Sequence, residues 1–182
     1  MVDGNERHAR RQRSMNWKIK AAIQNAIALL PEKPSHELYY KLQRNFGELK
    51  RPDAMAKLAS GFQTCSRLRR LGFDITDKTF FEVGTGRSIL MPIAYWLAGA
   101  RATITVDLNT YLRDDLLAEM VHSVCSREDG VRDISDDLII KDRLRALIDL
   151  CLDPRFERKA LFELTSIEYI APADARSTGL AK

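Results

Sequence analysis

The sequence predicts an α/β chain: a partial parallel sheet of strand order 3-2-1, with a helical extension before it and a long helical crossover between its second and third strands. Three observations carry that prediction. Short runs rich in β-branched and aromatic residues, Phe80-Phe81-Glu82-Val83 and Ala102-Thr103-Ile104-Thr105-Val106, flank a stretch of helical composition. Strands that alternate with helices in this way imply a parallel sheet, because parallel neighbours need a crossover between them. Helical periodicity also dominates the chain before the first run, and again between the second run and a third, Ile167-Glu168-Tyr169-Ile170.

Residues 1–14 set Arg7, Arg10, Arg11 and Arg13 against Asp3 and Glu6 with no apolar periodicity, which predicts a disordered basic tail. Such an arm suits nucleic acid or an anionic membrane, but a solvated tail accounts for it more simply. The whole chain carries a formal net charge of only +4, so no nucleic-acid partner is expected. Over residues 15–30, Ile19, Ile23, Ile27 and Leu30 recur at helical spacing until Pro31 stops them. Ser35 is the expected cap of a helix with Leu38, Tyr39, Leu42 and Phe46, closed by Gly47. Pro52 opens another with Met55, Leu58, Phe62, Cys65 and Leu68 on one face and Gly72 just beyond. The chain thus reads as a tail over 1–14, a helical region over 15–77 and a sheet domain over 78–182.

In the sheet domain the first strand runs straight into Gly84-Thr85-Gly86-Arg87. Glycines there supply positive φ and room for a ligand to approach the backbone. A helix over residues 88–98 follows, with Pro92 near its first turn and Gly99 past its end. The second strand ends at Asp107. The crossover reads as helices over 112–125 and over 136–152, then a third that Pro154 precedes and that runs through about Leu164, with a turn at Asp129-Gly130 between the first two. The third strand, within residues 167–175, leads to Asp174. Strand ends carrying Gly-x-Gly, Asp107 and Asp174 would line one crevice at the carboxyl edge of the sheet, where backbone amides and acids hold a nucleoside-bearing cofactor. Two glycines also serve such turns for steric reasons alone, and Asp174 by itself reads better as a turn residue or helix cap.

Glu82-Val83-Gly84-Thr85-Gly86, Val106-Asp107-Leu108-Asn109 and Ala173-Asp174-Ala175 resemble the first three cofactor motifs of the class I S-adenosylmethionine-dependent methyltransferases, most closely over residues 78–112. The resemblance implies a Rossmann-like domain and S-adenosyl-L-methionine as cofactor. It implies that Glu82, Gly84 and Gly86, with Thr85 between them, line the methionine side. It implies that Asp107 binds the ribose hydroxyls and Leu108 packs on the adenine, while Asp174 accepts from the adenine amino group and the Ala175 amide donates to the ring. Arg87 would pair either with the cofactor carboxylate or with a surface acid. The motif departs from the family at Ser88, where a third glycine is common. A nicotinamide-dependent oxidoreductase is the rival, but its fingerprint would put bulky Ile89 at the third small position, and Glu82 would repel a pyrophosphate. A non-catalytic interaction protein that keeps a nucleotide-binding half-fold is the third reading. The methyl acceptor is expected to be a small molecule, and no residue is singled out as catalytic.

The family's sheet has seven strands, and this chain runs only eight residues past Asp174. The expectation is therefore the cofactor-binding half of a longer, truncated enzyme, or self-association through the exposed edge of the first strand. Cys65, Cys125 and Cys151 are odd in number and far apart, which predicts reduced thiols in helices and no metal site. No apolar run approaches the roughly 20 residues a bilayer requires, and the N-terminus has no signal-peptide core. A cytoplasmic location is the resulting expectation.

Overall fold

The computed structural model describes Ala21, Asn25 and residues 32–135 and 137–179. The expected tail over 1–14 lies outside the described residues, as does the helix over 15–30 apart from Ala21 and Asn25, which are helical. The chain divides into two compact units, Met1–Pro52 and Asp53–Lys182.

In the first unit, α1 spans Glu32–Phe46 and a 3-10 turn follows over Glu48–Lys50. The helix starts at Glu32, four residues before His36, where a cap at Ser35 would start it. Pro34 lies in the first turn, where its missing N–H leaves no bond unmade. Arg44 Nη1 donates to Leu49 O at 3.0 Å and ties the 3-10 turn back to the helix.

The second unit runs α2 (Ala54–Arg70), β1 (Thr79–Val83), α3 (Leu90–Leu97), β2 (Ala102–Val106), α4 (Asp114–Cys125), α5 (Glu128–Ile134), α6 (Lys141–Leu152), α7 (Arg158–Thr165) and β3 (Ile167–Ile170). It is a mixed α/β unit with a three-stranded parallel sheet, in which β2 lies between β1 and β3. The register aligns Phe80 with Thr103, and Glu82 with Thr105 and then Tyr169. Side chains alternate across a strand, so Phe80, Glu82, Thr103, Thr105, Ile167 and Tyr169 share one face. Phe80 on that face stacks on Tyr95 of α3, with ring centroids 4.5 Å apart. The other face carries Phe81 and Val83, which are 50% and 63% exposed.

Helix–helix packing builds the core. Leu58 and Phe62 of α2, Ile93 and Leu97 of α3, Leu116 of α4 and Leu147 of α6 are all buried. Asp53 caps α2 by accepting from the Ala56 amide at 2.9 Å, so the helix starts at Ala54, two residues after Pro52, which was expected to start it. Arg143 of α6 donates to the carbonyls of Trp96 and Ala100 at 2.5 and 2.7 Å, which fastens the crossover to the C-terminal end of α3, and Ile140 N adds a bond to Leu97 O at 2.9 Å.

The crossover differs from its sequence reading in one place. Asp129 and Gly130 do not form a turn; they lie inside α5. Glu128 and Asp129 occupy its first turn, where negative charge suits the helix dipole, and Glu128 pairs with Arg132 one turn on. The helix expected over 136–152 accordingly begins later, at Lys141.

Candidate functional site at the carboxyl edge of the sheet

Parallel strands point all their carboxyl ends the same way, so the segments after β1, β2 and β3 meet at one edge. The backbone shows how closely. Gly84 N donates to Val106 O at 2.8 Å, Asp107 N to Ile170 O at 3.1 Å, and Ala173 N to Asp107 O at 2.8 Å. The residues expected at the three strand ends are therefore neighbours.

The glycine turn is held by Asp107. Gly84 and Gly86 adopt φ of 85° and 65°, the left-handed region that β-carbons disfavour. Gly86 N then points at Asp107 and donates to its Oδ2 at 2.6 Å. Asn109 N donates to Oδ1 at 3.4 Å. The Asp107 carboxylate is only 7% exposed and spans the first two strand ends. Each of its oxygens takes one backbone amide, which leaves each a second acceptor site.

Beneath the turn runs a polar chain. Thr85 is buried, and its hydroxyl meets that of Thr105. The Thr105 hydroxyl also donates to Glu82 Oε2 at 3.3 Å. Burial pushes the Glu82 carboxyl above its ordinary range, and the Thr105 bond only partly offsets this. Burial also pushes the Tyr95 phenol up to about 12, with the Glu82 charge adding to the effect.

Around the rim, Leu108 is 67% exposed. The Arg87 guanidinium lies over the Tyr111 ring, 5.4 Å from its centroid. Asn109 Nδ2 donates to the Tyr111 hydroxyl at 2.9 Å, and Tyr169 OH donates to Asn109 O at 3.4 Å. Burial raises the Tyr169 phenol, and the Asp107 charge raises it further. Tyr111 and Tyr169 were not among the expected site residues. Tyr169 carried only the alternation of a strand as a signal, and Tyr111 lies in a loop with none.

The structure also relocates two expected features. The helix after the glycine turn starts at Leu90, not Ser88, because residues 84–89 are spent on the left-handed turn. Ser88 Oγ accepts from the Leu90 amide at 3.3 Å, so the serine two residues after Gly86 lies at the helix start. The strand expected to end at Asp174 stops at Ile170. Asp174 instead caps the 3-10 turn Ala175–Ser177, accepting from Arg176 N at 2.9 Å and pairing with the Arg176 guanidinium at 2.6 Å. Ala175 is the first residue of that turn.

A cleft of about 790 Å³ runs between α4 and α7, lined by Leu117, Phe156 and Phe162 among others, and none of the expected site residues lines it. Among the described residues, no group of three or more His, Cys, Asp or Glu could hold a metal ion, and no helix is long and apolar enough to cross a membrane. No protein-family model matches the chain, and no curated protein or solved structure does either.

Proposed function

We propose that the second unit is a Rossmann-like nucleoside-binding domain that takes S-adenosylmethionine, and that the protein is a methyltransferase acting on a small molecule. The parallel arrangement with β2 in the middle is compatible with the 3-2-1 order of such a sheet. One observation carries the reading: a buried carboxylate, Asp107, is held by the amide of a left-handed glycine at the carboxyl edge, with an exposed Leu108 beside it.

The residues fit the parts of the cofactor unequally. Asp107 has acceptor capacity left for both hydroxyls of a ribose, and Leu108 offers an apolar surface to a purine. Glu82, half-buried below the glycines, suits the ammonium of a methionine tail better than a pyrophosphate. Asp174 reaches a purine amino group only by releasing Arg176. That pair is exposed, with 91% of the Arg176 side chain in solvent, so its release costs little. Bound cofactor would supply a methyl group on a sulfonium, open to in-line attack. What the chain contributes is orientation of the donor, the main source of rate in such a displacement.

Calorimetric titration of the full chain with S-adenosylhomocysteine and with NAD tests this. The homocysteine nucleoside is expected to bind saturably, and NAD is not. Leu108→Ala is expected to weaken binding about tenfold without moving Tm, since this exposed side chain does little for the fold. Selective NAD binding would overturn the methyltransferase reading in favour of an oxidoreductase. Binding of neither would leave an interaction protein. We also propose that β1, at the edge of the sheet with Phe81 and Val83 exposed, is where a second copy of the chain pairs.

A further inference from the structure

Cysteines that are remote in sequence meet in the crossover. Cys125 is the last residue of α4, and Cys151 lies in the last turn of α6. Their Sγ atoms are 2.6 Å apart, within about 0.6 Å of the roughly 2.05 Å of a covalent S–S bond. The Cys125 thiol also faces Leu147 O at 3.8 Å, which turns it toward α6. Cys151 is 7% exposed and Cys125 is half-buried, so the pair lies just under the surface. Cys65 is a different kind of cysteine. It is fully buried in α2, and burial pushes its thiol up to about 11, where little thiolate exists to react.

We propose that Cys125 and Cys151 are a redox-sensitive pair that closes to an intramolecular disulfide in response to a peroxide. The sulfurs divide the work. With the Cys125 S–H turned to the Cys151 sulfur, their bond holds Cys151 below the usual thiol range and pushes Cys125 up. Cys151 as thiolate attacks one oxygen of hydrogen peroxide. The O–O bond breaks, the sulfur is oxidised to a sulfenic acid, and the hydroxide released takes up a proton to become water. The Cys125 thiol then gives up its proton and attacks the Cys151 sulfur. The S–O bond breaks, and the departing hydroxyl leaves with that proton as a second water. In total, two thiols and one peroxide become one disulfide and two waters. The bond joins the ends of α4 and α6 across a separation of 26 residues, clamping the crossover. Cross-links of that span raise Tm by restricting the unfolded chain.

Treating the full chain with one to a few equivalents of hydrogen peroxide, then denaturing, alkylating and weighing it, tests the proposal. The expected product has lost two hydrogens, carries the alkyl group on Cys65 alone, and yields a peptide linking Cys125 to Cys151. Dithiothreitol is expected to reverse the change, and the oxidised chain to melt several degrees higher. Three alkylated cysteines after peroxide, a linkage through Cys65, disulfide-linked dimers, or a sulfinic acid at Cys151 with no linkage would each overturn it.

Discussion

Glu82 shows how a single residue can serve a site at the fold's expense. Its carboxyl is raised by burial, so the folded state holds its proton more tightly than the unfolded chain does. Below an unfolded pKa of about 4.3 both states are protonated and the residue is neutral to stability. As pH rises from there toward the raised folded value, the unfolded chain ionises first, and stability falls; above the folded value the loss is complete. Glu82→Gln keeps an acceptor for Thr105 and removes the buried charge. The variant is expected to melt higher than the native chain at pH 7, by about 2–4 °C per kcal/mol recovered, with the difference vanishing below pH 4. The same change is expected to weaken S-adenosylhomocysteine binding, and calorimetry with thermal melts reads both. The positions of Glu82 and Asp107 beside strand ends were legible in the sequence, because strand composition and the glycines that follow β1 are local signals; their bonds to Thr105 and to Gly86, 23 and 21 residues away, were not. Asp174 was legible only as an acid near a strand end. Whether it faced a ligand or capped its own turn depended on Arg176, two residues on, and the competing local bond won.

At the scale of elements, hydrophobic periodicity located each helix of the second unit except α5. Periodicity gives no weight to what a short segment gains from charge placement, so Asp129-Gly130 read as a turn and folded as a helix. Periodicity also says nothing of how near two helices come. Gly61 of α2 lies against α3 so closely that a Cβ there would sit 2.5 Å from the Ala94 Cβ and 3.0 Å from the Met91 carbonyl oxygen. In isolation, Gly61→Ala would favour the helix by about 1 kcal/mol. In place, it must push two rigid backbones apart, an overpacking that costs about 1–3 kcal/mol. Packing outweighs propensity here, and Gly61→Ala is expected to lower Tm by a few degrees. A rise in Tm would mean that α2 and α3 can separate freely. The meeting of Cys125 with Cys151 was hidden for a related reason: it depends on the rotation of two packed helices, which three scattered cysteines do not disclose.

For the whole molecule, the sheet poses an imbalance. Phe80 and Glu82 are half-buried, while Phe81 and Val83, next to them on the same strand, are 50% and 63% exposed. A strand with an apolar exposed side at a sheet edge is a template for another strand. A second copy meets that template by symmetry, because β1 turned about a two-fold axis through its centre pairs antiparallel with itself. The centre of Thr79–Val83 is Phe81, so the pairing would set Phe81 against Phe81 and Thr79 against Val83. Both chains would then gain ladder hydrogen bonds and cover the aromatic ring, with no new side chain required. Sedimentation velocity of the full chain over a hundredfold concentration range is expected to show reversible dimers. Phe81→Lys sets two like charges opposite each other at that centre and is expected to leave monomers. The exposed position makes the change in Tm small, on the order of 0.5 kcal/mol or less in stability. A variant that still dimerises would move the interface away from β1, and a native chain that stays monomeric throughout would show that this edge is not used between copies.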